Sequence, residues 1–378
     1  MPVATKQKRA TAKRLPHMDA TFLIIILVLL TFGLIMLFSA SYAYAYYQYG
    51  DSLYFIKRQA IFAVMGIAGM LFVSCINYHV LLKFVPWFFG GGLLLLVIVL
   101  FMPEQKGARR WIDLKIITFQ PSEIMKFALV LLFAYLIMKN YDKMGTFRYG
   151  VLPFMIPLGI VCVLMILEPH LSGTILIVSI ALVMMFVGGV KYRYYVALLI
   201  IAALGVLLVI LYGGIGYVEA RLASWLDPFS DPQGDTYQTV QSLLAIGSGG
   251  FTGLGLGNSR QKYLYLPEPQ NDFIFSIVCE ELGFIGAVVL VTLFALFVVR
   301  GFIIASRAPD KFGSMLAVGL TAQIGIQVIV NIAVVTNTVP NTGISLPFFS
   351  YGGTALLMQL LQMGVVLNIS RHSAIMKQ

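Results

Sequence analysis

The sequence predicts an all-α polytopic membrane protein. Of its 378 residues, 59% are hydrophobic and 11% are charged, whereas a soluble domain averages about a quarter charged residues. Apolar runs long enough to cross a hydrocarbon core of roughly 30 Å, which takes about 20 helical residues, recur along the chain. An ordinary soluble domain is therefore excluded.

Ten apolar runs are predicted to be membrane spans of a single transmembrane domain, residues 20–370. A basic tail of residues 1–19 precedes this domain, and a short tail of residues 371–378 follows it. A polar loop of residues 214–272 separates the seventh span from the eighth. The predicted spans are Ala20–Ala45, Lys57–Asn77, Leu81–Met102, Ser122–Met138, Gly150–Leu167, Leu171–Gly189, Tyr194–Gly213, Phe273–Val299, Ser314–Thr336 and Phe348–Ile369.

The distribution of basic residues predicts that both termini are cytoplasmic, because lysine and arginine in short loops stay on that side. The long loop is then extracellular. The net charge of +10 is explained by attraction to anionic lipid headgroups and requires no nucleic-acid partner. The first apolar run is too long for a cleaved signal, and the three cysteines lack the spacing of a disulfide framework or a zinc site.

Charged residues inside spans are functional candidates, because an unpartnered charge in lipid costs several kcal/mol. Glu123 and Lys126 lie three residues apart on one helical face, so they are close enough to pair. They form either a structural salt bridge or the charged wall of a substrate cavity. Glu280 and Glu281 cannot both share a face with Asp272 at 100° per residue, which favours a structural role for them.

Two groups of charged residues outside the spans are further functional candidates. Arg109 and Arg110 stand beside Trp111, and two adjacent guanidinium groups suit a diphosphate, although lipid-headgroup anchoring explains them equally simply. Asp272 ends the long loop where the eighth span begins. It is interpreted as a helix cap or as a general base whose ionised form the helix N-terminus favours. The loop, without obvious regular structure, contains Arg260 and Lys262 among aromatic residues, a composition that favours function over disorder.

Taken together, these segments resemble the SEDS family of bacterial envelope proteins (shape, elongation, division and sporulation), whose members include FtsW, RodA and SpoVE. The similarity extends from the first span to the last, and its ending is more similar to the FtsW and SpoVE branches. The motifs that carry the resemblance are GARRWIDL with FQPSEIMK, EPHLSGT, RLASWLDP, DTYQTVQSLLAIGSGGFTGLGLGNSRQKYLYLPEPQNDFIF, EELG and PNTGISLPFFSYGGTALL.

The resemblance implies a peptidoglycan glycosyltransferase that polymerises lipid II at the outer face of the bacterial cytoplasmic membrane, in division, sporulation or elongation. Asp272 matches the essential aspartate of the family, and His170 stands where the family often has an acidic residue. Cavity positions are implied for Arg109, Arg110, Gln120, Glu123 and Lys126, and a last outer turn for Pro347, Ser350, Tyr351, Gly352 and Gly353. Within that turn, Ser350 and Tyr351 are expected to bind substrate.

The chemistry of glycan polymerisation agrees with these residues. A carboxylate such as Asp272 can deprotonate the attacking sugar hydroxyl, and cationic groups can stabilise the departing diphosphate. We expect Arg109, Arg110 and Lys126 to hold that diphosphate, and the loop, with Arg260 and Lys262, to grip the sugars and peptide.

Two other functions are compatible with the sequence. A flippase for the lipid-linked precursor would need polar groups along the whole crossing, whereas most distinctive polar residues here lie on the predicted outer side. A scaffold that recruits a class B penicillin-binding protein is the second, and this partner is also implied by the resemblance. No zinc-type cluster is visible, but Mg²⁺ or Mn²⁺ held by the substrate diphosphate would leave little trace in the sequence.

Overall fold

The computed structural model describes residues 18–104, 109–113, 118–198, 200, 225–231, 233–234 and 236–375. A two-stranded antiparallel ribbon pairs β1 (Ile112–Asp113) with β2 (Thr118–Phe119), with Ile112 opposite Phe119. The remaining elements are helical. They are α1 (Ala20–Tyr49), α2 (Tyr54–Val73), α3 (Val80–Val99), α4 (Pro121–Asn140), α5 (Leu152–Leu167), α6 (Leu171–Val187), α7 (Tyr237–Gly249), α8 (Ile274–Ser306), α9 (Lys311–Val335) and α10 (Gly353–Ile375).

The all-α membrane class is confirmed, and the count of ten spans stays a prediction. Eight helices in the described part of the chain are long and apolar enough to cross a membrane. The sixth predicted span corresponds to α6, a shorter apolar helix of 17 residues. The seventh, Tyr194–Gly213, falls mostly outside the described residues, as do most of the basic tail and the beginning of the long loop.

The last helix begins later than the predicted Phe348. Phe348 has a φ of 65°, a left-handed conformation that an α-helix does not accommodate. Residues 337–352 form a non-helical segment, called the 337–352 loop below. Helix α10 starts at Gly353 and continues past Ile369 to Ile375.

Two polar contacts about 20 residues apart on α1 fix it antiparallel to α8. The Asp19 carboxylate caps α1 by accepting from the amide of Phe22 at 2.9 Å, and it also pairs with Arg300 of α8 at 2.8 Å. Further along α1, Ser39 donates to the carboxylate of Glu281 at 2.7 Å. Such caps satisfy amides that the first turn of a helix leaves without partners.

Helices α4, α9 and α10 form the buried centre of the bundle. Helix α4 packs against α3, α6 and α9, while α10 packs mainly against α2. Most residues of α4, α9 and α10 are buried, whereas most of α2 and α3 is not. The more exposed helices carry apolar side chains outward, as a hydrocarbon environment requires.

The long loop contains regular structure, contrary to the sequence-based expectation. Helix α7 lies within it and packs against α8. The segment after α7 then enters the hydrogen-bond ladder of α8, where Gly283 has a φ of 64° and interrupts the helix.

This interruption exchanges helix hydrogen bonds for bonds to the loop. The amides of Phe284 and Ile285 donate to the carbonyl groups of Gly250 and Phe251, at 3.0 and 3.2 Å. The carbonyl groups of Glu280 and Glu281, one turn earlier, accept instead from the amides of Leu254 and Gly255, at 3.0 and 2.9 Å. No backbone group freed by these four exchanges is therefore left without a partner.

A buried ion pair fastens the same loop to α8. Lys262 and Glu281 have fully buried side chains and approach to 2.8 Å. Lys262 also donates to the carbonyl of Gly257 at 2.6 Å and to Ser39 of α1 at 3.2 Å. The structural interpretation of Glu281 is thus confirmed.

Glu280 fastens the neighbouring part of the loop in the same way. Its carboxylate accepts from the hydroxyl of Ser259 and from the amide of Arg260, the latter at 2.9 Å. Both glutamates are completely buried, and this side of the loop is held by α8 at two successive residues.

We expect Lys262→Met to lower the free energy of unfolding by about 3–5 kcal/mol, because the Glu281 carboxylate stays buried without its cation. Denaturant unfolding in detergent micelles measures this loss. The matched control is Lys57→Met, which removes an exposed cation paired with Asp51 at 2.8 Å and should cost below about 1 kcal/mol. Equal losses in the two variants would contradict the structural role of the buried pair.

Candidate active site

A cavity of about 820 Å³ opens between α2, α4, α6, the segment that precedes α8 and the 337–352 loop. It brings together most of the residues that the sequence analysis predicted as a site. The predicted residues that line it are Arg110, Gln120, Glu123, Lys126, His170, Asp272, Ser350, Tyr351, Gly352 and Gly353.

Asp272 lies on the cavity wall, two residues before α8 begins. The residue at the N-cap position is Phe273, so the interpretation of Asp272 as the cap of this helix is wrong. Its carboxylate lies beside Gly343, where a Cβ atom would stand 3.2 Å from Oδ2. Gly343 also has a φ of 69°, so a larger residue there would be strained and would crowd the carboxylate.

The backbone of Asp272 is held by a buried amide from α9. The Nδ2 group of Asn331 donates to the Asp272 carbonyl at 2.7 Å and to the Ile344 carbonyl at 2.6 Å. Asn331 is completely buried. One side chain on a packed helix therefore ties the aspartate to the 337–352 loop.

Two further contacts join that loop to the residues immediately before Asp272. The Ser350 hydroxyl donates to the carbonyl of Asn271 at 2.7 Å. The amide of Tyr351 donates to the carbonyl of Gln270 at 2.8 Å. Ser350 and Tyr351, which were predicted to bind substrate, therefore also position the chain around the aspartate.

Glu123 and Lys126 form the ion pair that their spacing predicted. The Lys126 ammonium lies 2.7 Å from Glu123 Oε1, and the lysine is buried. The second carboxylate oxygen, Oε2, is buried and has no hydrogen-bond partner among the described residues. Both residues line the cavity, so the pair contributes charged groups to its wall.

Arg109 and Arg110 are not brought together, contrary to the prediction that they bind one diphosphate as a pair. Arg110 lines the cavity and donates to the Pro169 carbonyl. Arg109 does not line it and pairs instead with Glu104 at 3.1 Å. The two side chains therefore have different partners although they are neighbours in the sequence.

Arg260 and Lys262 also do not line the cavity. Lys262 is enclosed by the Glu281 pair, and Arg260 is exposed elsewhere on the loop. Lys262 was selected because it is close to Asp272 in the sequence. That proximity did not reveal that Glu281 of α8 pairs with Lys262. We therefore leave both residues out of the proposed site.

Between α5 and α6, two ionisable residues lie close to Arg110. Burial raises the pKa of Glu168 from 4.5 to about 8, although the nearby Arg110 charge opposes this shift. Burial, with the charges of Arg110 and Lys126, lowers the pKa of His170 to about 3. His170 is therefore a neutral imidazole on the cavity wall at physiological pH, and its Nε2 lies 3.3 Å from the amide nitrogen of Gln120.

Three residues of the site escaped the sequence analysis. Arg58 and Gln327 line the cavity, and Asn331 holds Asp272. The last two share one face of α9 with Gln323, because residues four apart lie on the same side of a helix. This row of amides in an apolar span was a usable signal, but within the spans only charged residues were predicted to be functional.

The raised pKa of Glu168 predicts a pH-dependent stability. The folded state binds the proton more tightly than the unfolded chain, so this stabilisation is complete below about pH 4.5 and is lost as the pH rises through 8. We expect Glu168→Gln to flatten the fall in melting temperature between pH 5 and 8.5 in detergent. Glu104→Gln, at an exposed carboxylate, is the control. A wild-type-like slope in Glu168→Gln would contradict this origin.

Comparison with known proteins identifies the family. Residues 20–375 match the family described as cell cycle proteins, with FtsW, RodA and SpoVE as its members. Stage V sporulation protein E of Bacillus subtilis is 42% identical over 368 residues, which cover 94% of this chain and 97% of the relative. A probable peptidoglycan glycosyltransferase FtsW of Geobacter sp. (strain M18) is 39% identical, with 95% and 98% covered.

Solved structures give the same result. The crystal structure of the rod shape determining protein RodA of Thermus thermophilus superposes with a TM-score of 0.68 at 26% identity, covering 94% of this chain and 97% of that one. A chain from a peptidoglycan synthase complex, studied for the coordination of polymerization and crosslinking, has a TM-score of 0.80 at 26% identity, with 94% and 98% covered. The present chain belongs to the FtsW, RodA and SpoVE family.

Proposed function

We propose that this protein is a peptidoglycan glycosyltransferase that polymerises lipid II into glycan strands, with Asp272 as the general base. The observation that carries the proposal is the position of Asp272 in one cavity with Arg110 and Lys126. The FtsW relatives are named for the same activity. Family membership alone would leave the residues unassigned, whereas the cavity supplies a base and cationic groups within one space.

The proposed reaction is a single displacement. The Asp272 carboxylate takes the proton of the attacking sugar hydroxyl. The oxygen of that hydroxyl forms a bond to the anomeric carbon of the donor. The bond from that carbon to the lipid diphosphate breaks, and the diphosphate leaves with the electron pair. One displacement inverts the anomeric centre, so no second carboxylate nucleophile is required.

Arg110 and Lys126 are proposed to hold the leaving diphosphate. Guanidinium and ammonium groups stabilise the charge that develops on the departing oxygen, most strongly where water is excluded. Lys126 shares its charge with Glu123 at 2.7 Å, which lowers its net attraction for an anion. His170, as a neutral imidazole, would offer a hydrogen bond to the same group without adding charge.

The proposed setting is the outer face of the cell membrane, with a class B penicillin-binding protein as partner. The positive-inside distribution of lysine and arginine supports this orientation of the cavity. The similarity to a chain of a peptidoglycan synthase complex supports a crosslinking partner. Lipid II, the growing strand and membrane lipids complete the proposed set of ligands.

A divalent cation, Mg²⁺ or Mn²⁺, is a proposed companion of the substrate diphosphate. Within the described ranges, no group of three or more His, Cys, Asp or Glu side chains is placed to hold a metal ion. Mg²⁺ commonly takes one or two protein carboxylates and completes its shell with phosphates and water. Glu268 on the cavity wall is the carboxylate that such a shell would use, and the ion would neutralise diphosphate charge.

Lipid II translocation is the second candidate function, since buried amides inside the bundle are polar groups of the kind that a crossing headgroup needs. Gln323 and Gln362 bond to each other at 3.1 Å inside the bundle. Both are almost completely buried, so a lipid headgroup could not pass them without separation of α9 from α10. Polymerisation requires no such movement and is therefore the preferred function.

Asp272→Asn is expected to abolish strand formation from fluorescent lipid II, because an amide cannot accept the hydroxyl proton. The assay compares it with wild type and with Asp227→Asn, an exposed aspartate of the same loop outside the cavity. Normal strands from Asp272→Asn would refute the assignment of the base. If wild type and Asp272→Asn both formed no strands, and both moved lipid II across liposomes, translocation would become the preferred function.

Asn331→Leu is expected to reduce kcat roughly 100-fold, because a misplacement of about 1 Å costs this much. The KM for lipid II should change less, since Asn331 does not line the cavity. Gln323→Leu, two turns away on α9, is the control and should change kcat less than about threefold. An Asn331→Leu enzyme with normal kcat would contradict a positioning role for this amide.

A further inference from the structure

Arg58 lies on the cavity wall and no role has been assigned to it so far. It belongs to the first turns of α2, is exposed and lines the cavity. Its guanidinium carbon stands 4.2 Å from the ring centroid of Tyr54, and its side chain is hydrogen-bonded to Tyr351. The opposite face of Tyr54 stacks on Tyr49 at 3.9 Å. The guanidinium is therefore held in place by aromatic contacts before any ligand binds.

Arg58 has no ion-pair partner among the described residues, whereas its neighbour Lys57 pairs with Asp51 at 2.8 Å. Lys126, on the other side of the cavity, pairs with Glu123. A guanidinium that is held in place and has no carboxylate partner favours a phosphate. Its planar arrangement of N–H groups can donate two parallel hydrogen bonds to phosphate oxygens.

Arg58 and Lys126 stand on different walls. Helix α2, which carries Arg58, packs against α1 and α10. Helix α4, which carries Lys126, packs against α3, α6 and α9. The cavity therefore has cationic groups on two sides, and its volume of about 820 Å³ falls within the range of pockets that enclose drug-sized molecules.

Transfer of a glycan between two lipid-linked sugars brings two diphosphates to the enzyme. The donor diphosphate is cleaved and leaves, while the acceptor keeps its own diphosphate throughout the reaction. With Arg110 and Lys126 proposed for the leaving group, the second diphosphate needs a separate cation.

We propose that Arg58, together with the Tyr351 hydroxyl, binds the diphosphate of the acceptor. This inference rests on the proposed polymerase function and adds to it a second phosphate site on α2. Binding there would hold the acceptor on the α2 side of the cavity. Asp272, which lines the same cavity, would take the proton of the acceptor's sugar hydroxyl.

The test separates the acceptor phosphate from the rest of the acceptor. Purified wild type, Arg58→Met and Arg58→Lys are assayed with lipid-linked donor and with one of two acceptors. The first acceptor is a disaccharide peptide on a short isoprenyl diphosphate, and the second carries the same disaccharide peptide on a neutral alkyl chain. Lys57→Met, which removes the neighbouring cation outside the cavity, is the matched control.

Arg58→Met should raise the KM for the diphosphate acceptor roughly 10- to 100-fold, the effect of losing charge-assisted hydrogen bonds to phosphate. It should leave the KM for the neutral acceptor unchanged. Arg58→Lys should lie between Met and wild type, because it keeps the charge and loses the fork. An unchanged KM for the diphosphate acceptor, or equal losses with both acceptors, would overturn the proposal.

A binding measurement without reaction keeps this proposal distinct from the proposed function. Wild type and Lys57→Met should bind two short-chain isoprenyl diphosphates per chain, and Arg58→Met one. This result would support the second site even if wild type formed no strands. Equal stoichiometry in all variants would overturn the site. Displacement of the second diphosphate by phosphatidylglycerol at equal concentration would also overturn it, because Arg58 would then be an ordinary headgroup contact.

Discussion

The structure depends on backbone hydrogen bonds that α8 cannot make for itself. Where Gly283 interrupts the helix, its amides and carbonyls bond to the segment that follows α7. In a hydrocarbon environment each unsatisfied backbone group costs several kcal/mol. The long polar loop is therefore not an appendage, since its backbone completes a membrane helix.

The buried charges obey the same constraint in two different ways. In the pair of Lys262 and Glu281, serine hydroxyl and backbone carbonyl groups occupy the remaining polar atoms, and both side chains are inaccessible. In the pair of Glu123 and Lys126, one carboxylate oxygen has no partner among the described residues, and both residues line the cavity. The two pairs consist of the same residue types. The number of their hydrogen bonds and their position relative to the cavity therefore decide which pair stabilises the fold and which pair can contact substrate.

Apolar run length predicted most helices, because a membrane span requires little more than about 20 apolar residues. The cavity residues Asp272, Arg110 and Lys126 were predicted from the type and spacing of charged residues and from motif resemblance. The sequence did not predict that Arg109 and Lys262 lie outside this cavity, because it does not show which partner each side chain finds in the folded protein. Such partners are defined only by tertiary packing.

The position of Asp272 is set by elements that are far apart in the chain. Its carbonyl is held from α9 by Asn331, and its carboxylate lies against Gly343 of the 337–352 loop. The same amide of Asn331 holds Ile344 of that loop, so the aspartate and the loop cannot move independently. A general base must be placed to within about 0.5 Å to work. A rigid helix that bridges both segments supplies that accuracy, which a flexible loop carrying the aspartate alone would not.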